Sequence, residues 1–338
     1  SPDGKFIAFS MLVPAPSKDF ASMPPKPEGA TWAKPAKVIR KLRYRIDGPG
    51  YIEDGFFHLF VISADGGTPR QITSGDFNHG GPQWTPDGQS LVFSANRHED
   101  WEFQPRNNEI YEVSISSRGI KALTDRVGPD NNPVVSPDGS KIAFVGFDDR
   151  YQGYQVRRLY LMKRDGSVKR MVSGDFDRDV GKLEWSSDGG GLFFQYDDRG
   201  NTKIGFLNLE NQVETLAEDV GGMSLGRPYS AGAYSVADDG TLAFTLSRPD
   251  FPADVAVAGS GKEVALLTRL NEDLLGHKQL AQVEEIWFDS SFDGRKVQGW
   301  VAKPPGFDPS KKYPLILEIH GGPFANYGDR FSAEFQLY

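Results

Sequence analysis

The sequence contains no cysteine, which excludes disulfides and thiol chemistry but fits either redox compartment, so localisation cannot be read from it. Its five histidines, at 58, 79, 98, 277 and 320, show no metal-ligand spacing, and no metal or cofactor is implied. No apolar run approaches the ~18 residues that mark a membrane-spanning helix. Positive charge is also in short supply. The 38 Lys and Arg against 46 Asp and Glu leave a net charge of −8, the wrong sign for a nucleic-acid partner. Turn formers, by contrast, are abundant. The 338 residues include 38 glycines and 23 prolines, together about 18% of the chain against a usual ~12%. With 23 Phe, 12 Tyr and 6 Trp to pack between layers, the composition predicts a turn-rich, mostly β protein.

One unit is written five times. Ser1-Pro2-Asp3-Gly4, Thr85-Pro86-Asp87-Gly88, Ser136-Pro137-Asp138-Gly139, Ser187-Asp188-Gly189 and Asp238-Asp239-Gly240 are versions of a single turn, each followed by a strand-like apolar run. Pro presets φ, Asp bonds the backbone ahead and Gly accepts positive φ. The turn aspartates are spaced 84, 51, 50 and 51 residues apart. A second landmark keeps the same period: Leu59, Ile110, Leu159, Ile204 and Val255 open a strand-like run, and Ile72-Thr73, Leu123-Thr124, Val172-Ser173, Leu216-Ala217 and Leu267-Thr268 close the next one. Four short strands per ~50 residues predict the four-stranded blades of a β-propeller. A β-sandwich with coincidental turns is the alternative, and it does not explain two landmarks sharing one period. Five repeats are seen, and about seven are expected in the full protein, because the chain opens in mid-blade.

The first interval is 33 residues longer than the second. The surplus lies at about 14–50, rich in Pro and basic residues, and reads as a solvated insertion or a charged arm. The repeats occupy 1–280. In 281–338 a hairpin is expected around Asp293-Gly294, followed by a buried strand over Pro314–His320 that breaks into His320-Gly321-Gly322-Pro323. A buried strand running into paired glycines is how α/β-hydrolases bring a backbone N–H against a developing oxyanion. No further helix is expected to begin before Tyr338.

The S-P-D-G repeats, then Phe292-Asp293-Gly294 with Gly299-Trp300, then Lys312-Tyr313-Pro314 running to Pro323, resemble the prolyl oligopeptidase family of serine peptidases. The stretch Phe288–Gly294 departs from the family's spacing by one residue, which a hairpin accommodates. Arg45–Tyr51, Tyr327-Gly328 and Glu334-Phe335-Gln336 resemble the acylaminoacyl-peptidase and dipeptidyl-aminopeptidase branch. The resemblance implies a propeller that gates access to an α/β-hydrolase domain, and cleavage of short peptides by Ser, His and Asp through an acyl-enzyme. It also implies an oxyanion donor on the HGGP loop, best assigned to the Gly322 N–H.

In α/β-hydrolases the triad follows this loop in the order Ser, Asp or Glu, His. After His320 the only serine and aspartate are Ser332 and Asp329, and no histidine follows. The triad is therefore expected in the remainder of the same enzyme, which becomes this chain's partner, and residues 1–338 are expected to be inactive alone. His320 reads as a loop-shaping residue rather than the triad base. Gly222-Met223-Ser224-Leu225-Gly226 matches the nucleophile pattern G-x-S-x-G but falls between two blades. Glu99, Asp100 and Glu102 form an acidic loop suited to a free amine or simply to solvent. A non-catalytic propeller that binds proteins is the other reading, with no use for an oxyanion loop. A homo-oligomer is compatible with either.

Overall fold

The computed structural model describes residues 1–15, 24–33, 37–222, 225–229, 232–259, 263–322 and 324–338. Among the described residues, four antiparallel sheets each pair four strands in chain order. The first of these holds His79–Trp84, Ser90–Ala95, Glu109–Ser114 and Ile120–Ala122. Two others hold Gly181–Trp185, Gly191–Asp198, Asn201–Asn208 and Val213–Ala217, and then Tyr234–Val236, Leu242–Arg248, Phe251–Ala258 and Ala265–Leu266. In the remaining sheet Lys141–Gly146, Arg158–Lys163 and Arg170–Met171 pair in the same order. At the start, Phe6–Pro14 pairs with Gly55–Ser63, which pairs with Arg70–Gln71. This mostly-β series of four-stranded sheets fits a β-propeller, as the repeat predicts.

The landmarks have a hydrogen-bond basis. At the turn, Ser136 Oγ donates to Asp138 Oδ1 at 2.6 Å, and the Ser140 amide donates to the same oxygen at 3.0 Å. Thr85 with Asp87 and Ser186 with Asp188 repeat the closure, at 2.5 and 2.7 Å. The hydroxyl position in the fourth turn is thus Ser186, and Ser187 stands where the other turns have Pro. Hydrogen bonds from Ser136 and Ser140 hold the Asp138 carboxyl well below the usual carboxylate range. Gly88 and Gly139 take φ of +66° and +72°, where a Cβ would be strained. The second landmark is a different clamp. The Leu59, Ile110, Leu159 and Val255 amides donate to the hydroxyls of Thr73, Thr124, Ser173 and Thr268 at 2.8–3.2 Å. In the repeat that ends at Ala217 the hydroxyl is missing, and the register shifts between Ile204 and Gly205.

A third periodic feature was hidden from the sequence. Gly81, Asn132 and Lys182, at the repeat spacing, all have positive φ. Around Gly81 and Lys182 the ladder register shifts as in a β-bulge.

The described chain forms two compact units, residues 1–135 with 165–167, and 136–164 with 168–338. In the first, Leu59, Val61 and Ile72 pack against Leu91, Phe93, Tyr111 and Val113 of the following sheet. In the second, Phe193, Ile204 and Ala217 pack against Leu242, Phe244, Leu246 and Ala256. Central strands buried on both faces explain why their sequences run continuously apolar. Phe93 and Phe144, with at most 1% of their surface exposed, each contribute about 1.5–3 kcal/mol by burial. Pro14 and Gly55 are direct register partners, so the basic segment begins and ends at one paired strand position.

In the second unit the predicted hairpin is present, Gln282–Asp289 against Lys296–Lys303, closed by Ser290 and Arg295. Two expectations fail. Pro314–His320 is not a buried strand: no ladder forms over it, and Leu315, Ile316, Leu317 and Ile319 are 87%, 62%, 77% and 75% exposed. A central strand needs hydrogen-bonding neighbours, and none of the described residues supplies one. A helix does begin before the chain end, at Ala333–Leu337, because Ser332 caps it by accepting the Phe335 amide at 3.2 Å.

The first unit buries Glu109, 2% exposed, where it accepts the Thr124 hydroxyl at 2.5 Å. Burial pushes its carboxyl up to about 7, while burial and Arg97 push the nearby His79 down to about 4. A raised carboxyl stabilises the fold below its unfolded value of ~4.5, and that share is lost as pH rises through 7. The depressed histidine acts oppositely, losing its share as pH falls from ~6.5 towards 4. Between pH 5 and 7 the histidine offsets the glutamate in the wild type, so the Glu109→Gln urea midpoint should rise more steeply with pH than the wild-type one. A pH dependence identical to the wild type would contradict this assignment.

Candidate active site

The glycine loop follows from its backbone. Gly322 has φ of +153°, and a Cβ there would sit 2.9 Å from the Phe324 amide nitrogen and 3.3 Å from that of Ala325. Only glycine fits such a fold-back. Both Gly321 and Gly322 are exposed, and neither amide donates a backbone hydrogen bond to a described residue. His320 Nδ1 lies 2.9 Å from the Gly321 carbonyl, and its ring stands edge-on to Tyr327 at 5.3 Å. His320, Gly321 and Gly322 thus share one exposed bend beside Tyr327, and Pro323 lies outside the described residues. Phe324 stacks on Tyr154 at 5.8 Å.

The segment after the loop is fastened down. Tyr327 bridges Tyr229, and the Gly328 amide donates to the Pro228 carbonyl at 3.1 Å. Arg330, only 5% exposed, donates to Asp197 at 3.3 Å, to the Pro228 carbonyl at 3.4 Å and to the Thr202 hydroxyl. Asn201 donates to Asp329 at 3.2 Å, and Ser332 donates to the Gly226 carbonyl at 2.7 Å. The seat is the turn after Gly191–Asp198, where Gly200 at φ +78° leaves no room for a Cβ between Trp300 and Gly328. Burial lowers the Arg330 pKa and raises that of Asp329. It pushes the Tyr327 phenol up to about 12, so that hydroxyl remains a donor at neutral pH.

Of the other predicted residues, Glu99, Asp100 and Glu102 lie in the first unit on the connection after Ser90–Ala95. There Asp100 is engaged by Gln104 Nε2 at 2.5 Å, and Trp101 stands edge-on to Phe56. The G-x-S-x-G match has Met223 and Ser224 outside the described residues, and 225–229 beyond it form no helix, as a nucleophile turn requires. Arg330, Tyr327 and Arg227 were missed. The signal for Arg330 was a lone cation among Tyr327, Phe331 and Phe335.

Arg330→Ala should strand the Thr202 and Pro228 acceptors and cost about 1–3 kcal/mol. It should show as a lower urea midpoint together with faster amide exchange over 327–332. Unchanged exchange there would show that Arg330 is not the anchor.

Comparison with known proteins identifies the family. The family model described as the dipeptidyl peptidase IV (DPP IV) N-terminal region matches residues 49–143. The uncharacterized peptidase YuxL of Bacillus subtilis is 27% identical over 313 residues, 88% of this chain and 46% of that protein. Dipeptidyl-peptidase 5 of Aspergillus fumigatus is 32% identical over 266 residues, 73% of this chain and 35% of that protein. The chain spans less than half the length of these curated relatives. Among solved structures, an acylaminoacyl peptidase in complex with Z-Gly-Gly-Phe-chloromethyl ketone aligns with 99% of this chain and 47% of its own. Its TM-score is 0.73 at 17% identity, a likeness of fold. The Pyrococcus horikoshii acylaminoacyl peptidase matches equally, with a TM-score of 0.73 at 18% identity. The chain belongs to the prolyl oligopeptidase family of serine peptidases, on the branch of the dipeptidyl-peptidase 5 and acylaminoacyl-peptidase proteins.

Proposed function

We propose that the chain is the propeller, residues 1–280, and the opening of the α/β-hydrolase domain, 281–338, of a serine peptidase that cleaves short peptides. Five blades of about seven are present in this reading, and the propeller gates access to the site. The observation that carries it is the pair of exposed amides at Gly321 and Gly322 that donate to no described residue, on a bend whose following segment is anchored by Arg330.

Such amides stabilise charge that develops in the transition state. A serine activated by a histidine attacks the peptide carbonyl, and its oxygen becomes an oxyanion as the tetrahedral intermediate forms. The Gly322 N–H donates to that oxygen, and the amide after the nucleophile donates the second bond. Because the donors are already fixed, little reorganisation opposes their action. His320 shapes the loop and does not exchange protons with substrate. The serine, the acid and the base belong to the remainder of the enzyme, so residues 1–338 by themselves should not hydrolyse peptides. No cofactor takes part.

In the intact natural protein a fluorophosphonate should label one serine, and failure to label any would overturn the peptidase reading. Gly322→Ala keeps the N–H but its Cβ forces the bend to shift, which should displace the amide and lower kcat on a short peptide about 10²–10³-fold, the usual cost of losing one oxyanion donor, with KM little changed. An unaltered kcat would remove Gly322 from the site.

A further inference from the structure

Pro314–His320 approaches the glycine loop without a strand partner among the described residues, yet the bend it enters is held in place. Two side chains of the second unit supply the hold, and both meet it at Glu318. Tyr327, buried and 8% exposed, donates its hydroxyl to Glu318 Oε1 at 3.2 Å. Arg227, on the segment between the last two four-stranded sheets, places a guanidinium nitrogen 3.4 Å from the same oxygen. Its Nε also donates to Glu334 Oε2 at 2.9 Å. Glu318 lies two residues before His320, and Glu334 lies in the terminal helix beyond the loop. One arginine of the repeat region therefore bridges the two flanks of the glycine bend. Tyr229, two residues on, stands edge-on to Tyr327 at 4.8 Å, and Tyr327 in turn meets His320 at 5.3 Å.

We infer that Arg227 is a positioning residue for the oxyanion loop, acting through Glu318 and Glu334 to fix where the Gly321 and Gly322 amides point. The inference rests on the peptidase reading for its consequence in catalysis, though not for its geometry. Arg227 touches no reacting atom. Its side chain is 44% exposed, and an ion pair this exposed adds little to overall stability. Its effect falls instead on the order of a segment that has no ladder to define its path. The arrangement needs a planar fork that can engage two carboxylates at once. Lysine offers a single point charge and cannot span both. A donor loop that wanders loses transition-state stabilisation while ground-state binding is largely retained, so the loss belongs in kcat.

The test compares wild type, Arg227→Ala and Arg227→Lys in the intact natural protein, by amide exchange and by steady-state kinetics on a short peptide. Exchange over 333–336, whose amides donate to Leu225, Gly226 and Ser332, should quicken about tenfold in Arg227→Ala, with the urea midpoint nearly unchanged. kcat should fall about tenfold while KM moves less than twofold, and Arg227→Lys should recover only part of both. If the wild type hydrolyses peptides but Arg227→Ala leaves exchange and kcat untouched, the positioning role is wrong. If exchange quickens as stated in a protein that hydrolyses nothing, the positioning stands and the peptidase reading falls. A general loss of stability with faster exchange throughout would also sink the inference, since it would make Arg227 a structural residue.

Discussion

A hydroxyl donating to an aspartate two residues ahead is the interaction on which this chain is built. At Thr85, Ser136 and Ser186 it closes the same turn, and the strands that leave each turn meet in antiparallel register. The bond is modest, about 1 kcal/mol, and gains its importance by recurring. Each repetition aligns a central strand for burial on both faces, and sheet then packs on sheet. One later connection, the turn at Arg199 and Gly200, provides the seat that Arg330 fills. Through Arg330 and Tyr327 that seat holds the segment after the glycine bend.

The site therefore belongs to neither end of the chain alone. The hairpin and glycine loop come from the last 58 residues, yet their tethers are Asp197, Thr202, Arg227, Pro228 and Tyr229 from the repeats. Such a division suits an acyl-transfer site. Oxyanion donors act only if they are fixed before charge develops, and a loop without ladder pairing is fixed only by what it docks against. Gly322 and Gly200 meet complementary steric demands, one permitting an exposed fold-back and the other admitting Gly328 against the turn.

How much of this was legible follows from range. The turns were legible because their bonds span two to five residues, so Pro, Asp and Gly reveal them directly. Thr73, Thr124, Ser173 and Thr268 were visible as a periodic landmark, though not as clamps on the amides of Leu59, Ile110, Leu159 and Val255. The bulges at Gly81 and Lys182 left no common residue type to read. The path of Pro314–His320 was misjudged because apolar character reports a tendency to be buried and not the presence of a neighbour. Arg330 and Arg227 were missed because their partners lie 91 to 133 residues away in sequence. Gly322 was legible as a glycine position because its positive φ and the nearby Phe324 amide leave no room for a Cβ.

The most direct test of the central claim is a structure of the intact natural protein bound to a peptidyl boronic acid, whose tetrahedral adduct mimics the intermediate. The account predicts one boronate oxygen within about 2.7–3.1 Å of the Gly322 amide nitrogen, the distance of a working oxyanion donor. An adduct whose oxygens turn away from Gly321 and Gly322, or one formed at a site remote from this loop, would contradict it.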